Sequence, residues 1–410
     1  MGDKLEILES GSVTSPKGFL AAGQHVGIKK QDKDLALIYS QVPAVTAGAF
    51  TTNVIQAAPV TWSRQVVQRQ QAQAIVVNSG NANACTGTRG DEHAAWMADA
   101  AGRRLGVEAN QVLVASTGVI GVPLPIEVVL AGIENTAELL ADSVAAGLEA
   151  AQAIRTTDTM SKHTAVKVQL STGTVTVGGI AKGSGMIHPN MATMLSFITT
   201  DAAINPELLS KALRESTAGS YNMISVDGDT STNDMVVALA NGMAENKPID
   251  SEDEDYQRFF EALHTVNTYL AQQIVRDGEG ATKFLEVRVQ GARDDESARK
   301  LAKSVITSNL VKTAFFGEDA NWGRIVAALG YAGVEFAPSE VGIVVESAKG
   351  TLNLLRNGEP LEFDEAAAQR ILHERDIQIF ATVGQGFGKA VAWGCDFSYD
   401  YVKINGSYRT

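Results

Sequence analysis

A threonine inside a short turn is the first residue whose surroundings suggest chemistry. Thr193 follows the small residue Ala192 in the stretch GMIHPNMATMLSF, residues 185–197. A threonine hydroxyl needs a base to become a nucleophile, and one solution is the α-amino group of the same residue. That group is free only at a chain start. Thr193 would therefore gain this base only if the bond after Ala192 were cut.

Self-cleavage would supply such a chain start. The threonine hydroxyl attacks the carbonyl of Ala192, the acyl group shifts from nitrogen to oxygen, and water releases it. Pro189 and Asn190 favour the tight turn that this attack requires. The alternative is a structural threonine where a turn becomes a strand. His188 is a second candidate base, and its alternative is a solvated or structural histidine.

Another stretch could stabilise the negative charge of an acyl-transfer intermediate. VASTGVIG, residues 114–121, places Thr117 and Gly118 at the end of a predicted strand. Glycine permits close backbone approach, and a hydroxyl beside a backbone N–H is what an oxyanion hole requires. The alternative is a simple strand-to-loop turn.

Two charged residues next to glycines are candidates for substrate binding. Lys182 begins KGSGM at 182–186, which lacks the spacing of a phosphate-binding loop. Its alternative is a solvated lysine in a flexible loop. Glu279 lies in RDGEGATK at 276–283, where it could meet a substrate ammonium. Its alternative is a surface turn.

The sequence does not predict a metal centre or a cofactor. Asp227, Asp229 and Asp234 in DGDTSTND could hold Mg²⁺, but the stretch lacks the terminal glutamate of an EF-hand. A capped polar turn is the favoured interpretation. The 6 histidines are scattered, and the 2 cysteines, Cys85 and Cys395, show no metal-ligand spacing and are expected as reduced thiols.

Composition excludes several classes of function. The chain has 410 residues and a formal net charge of −13, and it contains no dense basic run of the kind that nucleic-acid binding requires. No apolar run approaches the ~18 residues of a membrane span. The first residues lack the basic-then-apolar order of a secretion signal. We therefore expect a cytoplasmic protein without nucleic-acid or membrane partners.

The periodicity of apolar residues predicts an α/β fold, an α+β layered sandwich with sheets covered by helices. Alternating runs predict strands at 35–39, 74–79, 111–116, 163–170, 174–179, 234–240, 284–291, 342–347 and 389–398. Amphipathic runs predict helices at 91–106, 126–154, 205–216, 251–275, 294–308 and 364–375, with 126–154 divided into two. Asn205 is the predicted N-cap of its helix, and the helix at 91 is expected to start with an acidic turn.

Several of these motifs, taken together, resemble the ornithine acetyltransferases of the arginine-biosynthesis ArgJ family, also called glutamate N-acetyltransferases. The resemblance begins at 12–23 and runs nearly end to end. It is carried by ASTGVIG (115–121), TTDT (156–159), KGSGMIHPNMATMLSF (182–197), DGDTSTND (227–234), DGEGATK (277–283), GEDANWGRI (317–325) and YVKINGSYRT (401–410).

The resemblance implies an N-terminal-nucleophile-like architecture of the ArgJ/DmpA type and self-cleavage between Ala192 and Thr193. It implies an α chain of residues 1–192 and a β chain of residues 193–410, commonly assembled as an α2β2 heterotetramer. Thr193 would be the nucleophile, and Thr117 and Gly118 would stabilise the oxyanion. The substrate-binding positions implied by the family are Thr156, Lys182, Thr193, Glu279, Asn405 and Thr410.

The implied reaction transfers an acetyl group from N2-acetylornithine to glutamate through an acetyl-Thr193 intermediate, without a cofactor. Some family members also use acetyl-CoA, and the residues leave that activity open. Two other functions also remain open. One is a related threonine-nucleophile aminopeptidase or amidase that passes the acyl group to water. The other is a non-enzymatic metabolite-binding protein in which Thr193 is structural.

Overall fold

The computed structural model describes residues 5–188 and 194–407. Ala192, Thr193 and Thr410, which carry three of the predictions above, lie outside the described residues. Within the described residues, no helix is long and apolar enough to cross a membrane.

A nine-stranded sheet forms one layer of the fold. Its strands are β1 (Glu6–Ile7), β2 (Phe19–Gln24), β3 (Leu35–Phe50), β4 (Gln71–Asn81), β5 (Val112–Val119), β6 (Lys162–Leu170), β7 (Gly173–Lys182), β8 (Leu195–Thr200) and β10 (Met235–Ala240). The order is β1-β6-β7-β8-β10-β3-β4-β5, with β2 paired to β3. Most of these strands are apolar on both faces, because helices cover the sheet on both sides.

A seven-stranded sheet forms a second layer, in the order β14-β13-β12-β15-β11-β16-β9. Its strands are β9 (Ile224–Ser225), β11 (Phe284–Ala292), β12 (Gly342–Ser347), β13 (Gly350–Arg356), β14 (Glu359–Pro360), β15 (Asp376–Thr382) and β16 (Gly388–Cys395). Alternation of buried and exposed residues along β12 and β15 shows that one face of this sheet is packed and the other is open.

The helices cover the first sheet and fill the space between the sheets. They are α1 (Ala58–Gln68), α2 (Gly87–Leu105), α3 (Ile126–Ala137), α4 (Val144–Ala153), α5 (Pro206–Gly219), α6 (Glu254–Arg276), α7 (Asp295–Thr307), α8 (Asn309–Phe316), α9 (Trp322–Gly330), α10 (Glu365–Leu372) and α11 (Tyr399–Ser407). α6 lies between the sheets, since it contacts β6 and β7 on one side and β9 and β16 on the other.

Strand pairing joins the parts of the chain before and after residues 189–193. β8 and β10, which follow this stretch, run parallel to each other. They lie between β7 and β3, which precede it. The N–H of Val226 also donates to the carbonyl of Ile187 at 2.7 Å. The two parts of the chain therefore share a hydrogen-bonded sheet and one hydrophobic core.

The structure confirms the predicted α/β layered class and many of its elements. Residues 126–154 form two helices, and Asn205 caps α5 by accepting the N–H of Glu207. The prediction for α2 was wrong at its start, since the helix begins at Gly87 and has no acidic first turn. The pattern missed α1, α8, α9 and α11. The first three are short helices that bury residues against the rest of the fold, whereas α11 buries none.

Packing of α6 against the first sheet predicts a large cost for Leu270→Ala. Leu270 is fully buried and lies against Gly179 of β7, where any side chain would collide with it. We expect this variant to lower the free energy of unfolding by about 2–5 kcal/mol, measured by urea unfolding. Glu261→Ala, at an exposed position of the same helix, should change it by less than about 0.5 kcal/mol. Equal effects of the two variants would contradict this packing.

Candidate active site

A cavity of about 250 Å³ lies where strands of the first sheet end and loops of the second part of the chain meet them. Each predicted site residue within the described part of the chain lines it, namely Thr117, Gly118, Thr156, Lys182, Glu279 and Asn405. Met194, the residue after Thr193, is also in its wall. Residues far apart in sequence are thus brought together around a space suited to a small molecule.

β5 brings Thr117 and Gly118 to the cavity. Thr117 is buried, and Gly118 has a φ of 134°, a conformation that residues with a side chain rarely adopt. A Cβ at Gly118 would lie 2.3 Å from the carbonyl carbon of Gly80 in the neighbouring β4, so only glycine fits. The predicted close approach of the backbone at Gly118 is therefore present, and the simple-turn alternative does not account for it.

Lys182 ends β7 with its side chain in the cavity wall. The residue is only 7% exposed, and its Nζ lies 3.4 Å from the Thr117 hydroxyl. The alternative of a solvated lysine in a flexible loop is therefore wrong. An ammonium shielded from water attracts an anion more strongly than a solvated one.

Glu279 is also buried, so the surface-turn alternative is wrong. It is 9% exposed, and its Oε2 accepts a hydrogen bond from the Asn405 amide at 2.7 Å. Its backbone N–H donates to the Ser184 carbonyl at 2.9 Å. A Cβ at Gly185 would lie 2.3 Å from the carboxylate, so the glycine leaves room for it. The cavity thus offers both a cation and a carboxylate.

A buried ion cluster lies behind this wall. Lys162 Nζ lies 2.6 Å from Asp158 Oδ1 and 2.6 Å from Asp277 Oδ2, and all three side chains are nearly inaccessible to water. Burial alone would raise the pKa of Asp158, but Lys162 and then Lys182 outweigh it and hold that pKa well below its usual range. Asp158 is therefore a carboxylate at neutral pH.

The DGDTSTND stretch builds part of the wall but no metal centre. Asp227 accepts the N–H groups of Met186 at 2.6 Å and Ile187 at 2.8 Å, and Tyr401 donates to it at 3.3 Å. No group of three or more potential metal-binding side chains occurs among residues 5–188 and 194–407. The magnesium hypothesis for Asp227, Asp229 and Asp234 is therefore not supported, and the capped-turn interpretation fits Asp227.

Sequence reasoning missed two residues of this region. Asn233 donates to the carbonyls of Ala82 at 2.6 Å and Ser116 at 2.8 Å, so it fixes the strand end that carries Thr117. Tyr401 comes from α11 and joins the cavity wall. Both lie in stretches that carried the family resemblance, but residue type gave no signal for their contacts.

Asp234 is a buried carboxyl group in the same wall. It is 3% exposed, and burial raises its pKa well above the usual value despite contributions from Ser231 and Lys182. Its Oδ2 has no hydrogen-bond partner in the described part of the chain. Burial therefore shifts this carboxyl towards its neutral form relative to an exposed aspartate.

His188 is a poor base in this environment. Its ring Nδ1 lies 3.2 Å from the Ser225 hydroxyl. Burial, with a smaller contribution from Lys303, lowers its pKa to about 4. The imidazole is neutral at pH 7 and has little affinity for a proton, which weakens the alternative in which it activates Thr193.

The lowered pKa of His188 predicts a pH dependence of stability. Because the folded state disfavours the protonated ring, this group destabilises the fold as pH falls from about 6.5 towards about 4. We expect His188→Gln to reduce the loss of unfolding free energy between these pH values, measured by urea unfolding. A full wild-type loss in this variant would contradict the assignment.

Comparison with known proteins places the chain in a family. A model of the ArgJ family matches residues 20–410. The chain is 54% identical over 404 residues to the arginine biosynthesis bifunctional protein ArgJ of Symbiobacterium thermophilum, covering 98% of this chain and 99% of that protein. It is 53% identical over 406 residues to the protein of that name from Caldanaerobacter subterraneus, covering 99% and 100%.

Solved structures also match. One is the ornithine acetyltransferase of Mycobacterium tuberculosis in complex with ornithine, at 39% identity and a TM-score of 0.44. That match covers 46% of this chain and 100% of the other chain. With the family model extending over nearly the whole sequence and relatives above half identity, the chain belongs to the ArgJ family.

Proposed function

We propose that this protein is a glutamate N-acetyltransferase of arginine biosynthesis, which transfers an acetyl group from N2-acetylornithine to glutamate. One observation carries the proposal: Thr117, Gly118, Lys182 and Glu279 line one cavity with Met194, the residue after the predicted nucleophile. The family membership supports the same reaction. We place the enzyme in the cytoplasm, where amino-acid biosynthesis takes place.

The proposed enzyme first cuts itself between Ala192 and Thr193. The products are an α chain of residues 1–192 and a β chain of residues 193–410. The position of β8 and β10 between β7 and β3 supports this proposal, because strand pairing would keep the cut chains together. Two such units would associate as an α2β2 heterotetramer.

In the first half of the reaction, the Thr193 hydroxyl attacks the acetyl carbonyl while its proton moves to the α-amine of Thr193. The carbonyl electrons move to oxygen, and this oxyanion is stabilised by the Thr117 hydroxyl and the Gly118 N–H. Each such donor is typically worth about 10²–10³ in rate. When the intermediate collapses, the C–N bond breaks and the α-ammonium returns the proton to the departing ornithine nitrogen.

In the second half, glutamate enters the same cavity. Its amine attacks the acetyl ester on Thr193, loses a proton to the α-amine, and the oxyanion again lies at Thr117 and Gly118. Collapse releases N-acetylglutamate and restores the threonine hydroxyl, which gives a ping-pong cycle. An amide is broken and an amide is formed, so the transfer needs no external energy source or cofactor.

The charges of the cavity suit both amino acids. Lys182 pairs with the substrate α-carboxylate, and Glu279 pairs with a substrate amine, as charge-assisted hydrogen bonds. Thr156 and Asn405 complete the described binding wall, and we assign Thr410 to the same role.

The names of the relatives describe bifunctional proteins. We propose acetyl-CoA as a second acetyl donor, because any donor whose acetyl carbonyl reaches Thr193 would give the same ester. An aminopeptidase or amidase of related mechanism would pass the acyl group to water instead. Acetyl transfer that requires glutamate, with little release of acetate, distinguishes the proposed enzyme from this alternative.

Self-cleavage is tested by intact-mass spectrometry under denaturing conditions. We expect two species in the wild type, one ending at Ala192 and one starting at Thr193, and one unbroken chain in Thr193→Ala. The variant should also lose acetyl transfer, because it has neither hydroxyl nor free amine. A wild-type chain that stays uncut but transfers acetyl would contradict the mechanism.

The binding roles predict changes in KM. Lys182→Ala and Glu279→Ala should each raise KM for acetylornithine by about tenfold or more, because each removes a hydrogen bond between charged groups. Steady-state kinetics at fixed glutamate measures this change. Lys300→Ala, at an exposed position on α7, should leave KM unchanged. An unchanged KM in both cavity variants would rule out the assignment.

A further inference from the structure

Lys162 is a buried cation to which the reaction above gives no role. Its side chain is fully inaccessible, and both of its ion-pair partners, Asp158 and Asp277, are nearly so. Charges are seldom buried this deeply unless each is paired, because burial in a low-dielectric interior is costly. The contacts of this cluster with the cavity wall indicate a role for its ion pairs.

The cluster touches the segments that carry the substrate-binding residues. Asp158 accepts the backbone N–H of Thr156 at 3.0 Å and of Gly183 at 2.7 Å. The first of these is a cavity residue, and the second directly follows Lys182. The carboxylate of Asp158 is therefore fixed beside the residue that would bind the substrate α-carboxylate.

The other carboxylate holds a neighbouring segment. Asp277 accepts the N–H of Thr159 at 3.0 Å, and its backbone carbonyl accepts the Ser184 hydroxyl at 2.7 Å. Glu279 follows Asp277 by two residues. The cluster thus links the three stretches of chain that carry Thr156, Lys182 and Glu279.

The charge of Lys182 acts on Asp158, yet the two are not paired. Gly183, which directly follows Lys182, donates its N–H to Asp158 at 2.7 Å, and the charge of Lys182 helps to lower the pKa of that carboxylate. Within the described chain Lys182 forms no ion pair, and its Nζ contact is with the Thr117 hydroxyl. The ion-pair partner of Asp158 is instead Lys162.

We propose that Lys162 is a positioning residue that keeps Lys182 available for the substrate. By pairing with Asp158 and Asp277, it prevents Asp158 from capturing the Lys182 ammonium. This inference rests on the proposed function, in which Lys182 binds the α-carboxylate of the amino-acid substrate.

Removal of the Lys162 ammonium has a specific consequence. In Lys162→Met, two buried carboxylates lose their shared cation, and Lys182 is the cavity cation whose chain neighbour, Gly183, already donates to Asp158. Because an unpaired buried charge is costly, Lys182 turns from the cavity to Asp158. The enzyme then loses its preference for substrates that carry an α-carboxylate.

The test compares two acetyl donors that differ only in this group, N2-acetylornithine and N-acetylputrescine. The measured quantity is the ratio of their kcat/KM values, which does not depend on the fraction of enzyme that is folded and cleaved. We expect Lys162→Met to lower this ratio by about tenfold or more, as for loss of a hydrogen bond to a charged group. A purely structural role would lower both kcat/KM values and leave the ratio unchanged.

Two double variants separate capture by Asp158 from general damage to the cluster. Adding Asp158→Asn to Lys162→Met removes the carboxylate beside Lys182, so the ratio should return to within about threefold of wild type. Adding Asp277→Asn removes one carboxylate as well but leaves Asp158, so the ratio should stay low. Lys312→Met, which removes a buried lysine outside the cavity, should leave the ratio unchanged.

The possible results are distinct. A wild-type ratio in Lys162→Met, or an equal ratio in the two double variants, would overturn the inference while leaving the proposed function intact. If Lys162→Met does not fold, the Lys162→Met/Asp158→Asn variant carries the test, and a tenfold lower ratio there would overturn it. If the wild type transfers no acetyl group from N2-acetylornithine, the proposed function is wrong and the inference fails with it.

Discussion

The pairing of β8 between β7 and β10 is the constraint on which the site depends. Its register places Leu195 opposite Lys182 on one side and opposite Met235 on the other. Leu195, the first residue of β8, is thereby held between the end of β7 that carries Lys182 and the start of β10, which Asp234 precedes. Since this pairing crosses from one part of the chain to the other, the same hydrogen bonds build the cavity and hold the two parts together.

The second requirement is charge balance away from water. In the proposed reaction Lys182 and Glu279 bind a zwitterionic substrate. Both are shielded from water, and shielded charges must also be compensated when the cavity is empty. Asn405 donates to Glu279, and the Asp158–Lys162–Asp277 cluster supplies negative charge near Lys182 without pairing with it. Lys182 is thus compensated without an ion-pair partner in the described part of the chain, which leaves its ammonium available for the substrate of the proposed reaction.

Close backbone packing completes the site. Gly118 and Gly185 face atoms that a side chain would displace, namely the backbone of β4 and the Glu279 carboxylate. The glycines of the quoted motifs therefore have two separate uses, one at the strand end where an oxyanion would lie and one beside a charged group. In both cases the absence of a Cβ lets functional atoms line the cavity.

The sequence by itself determined the layered α/β class, the longer helices, the cap at Asn205 and, through the order of its motifs, the family. The class, the helices and the cap follow from periodicity and from contacts between near neighbours, which the sequence displays directly, and the family follows from the resemblance of its motifs. Only the tertiary structure decided that Lys182 and Glu279 are buried and that Lys162 compensates carboxylates from two segments. Burial of a charge depends on which distant strands pair around it, and no local pattern contains that information.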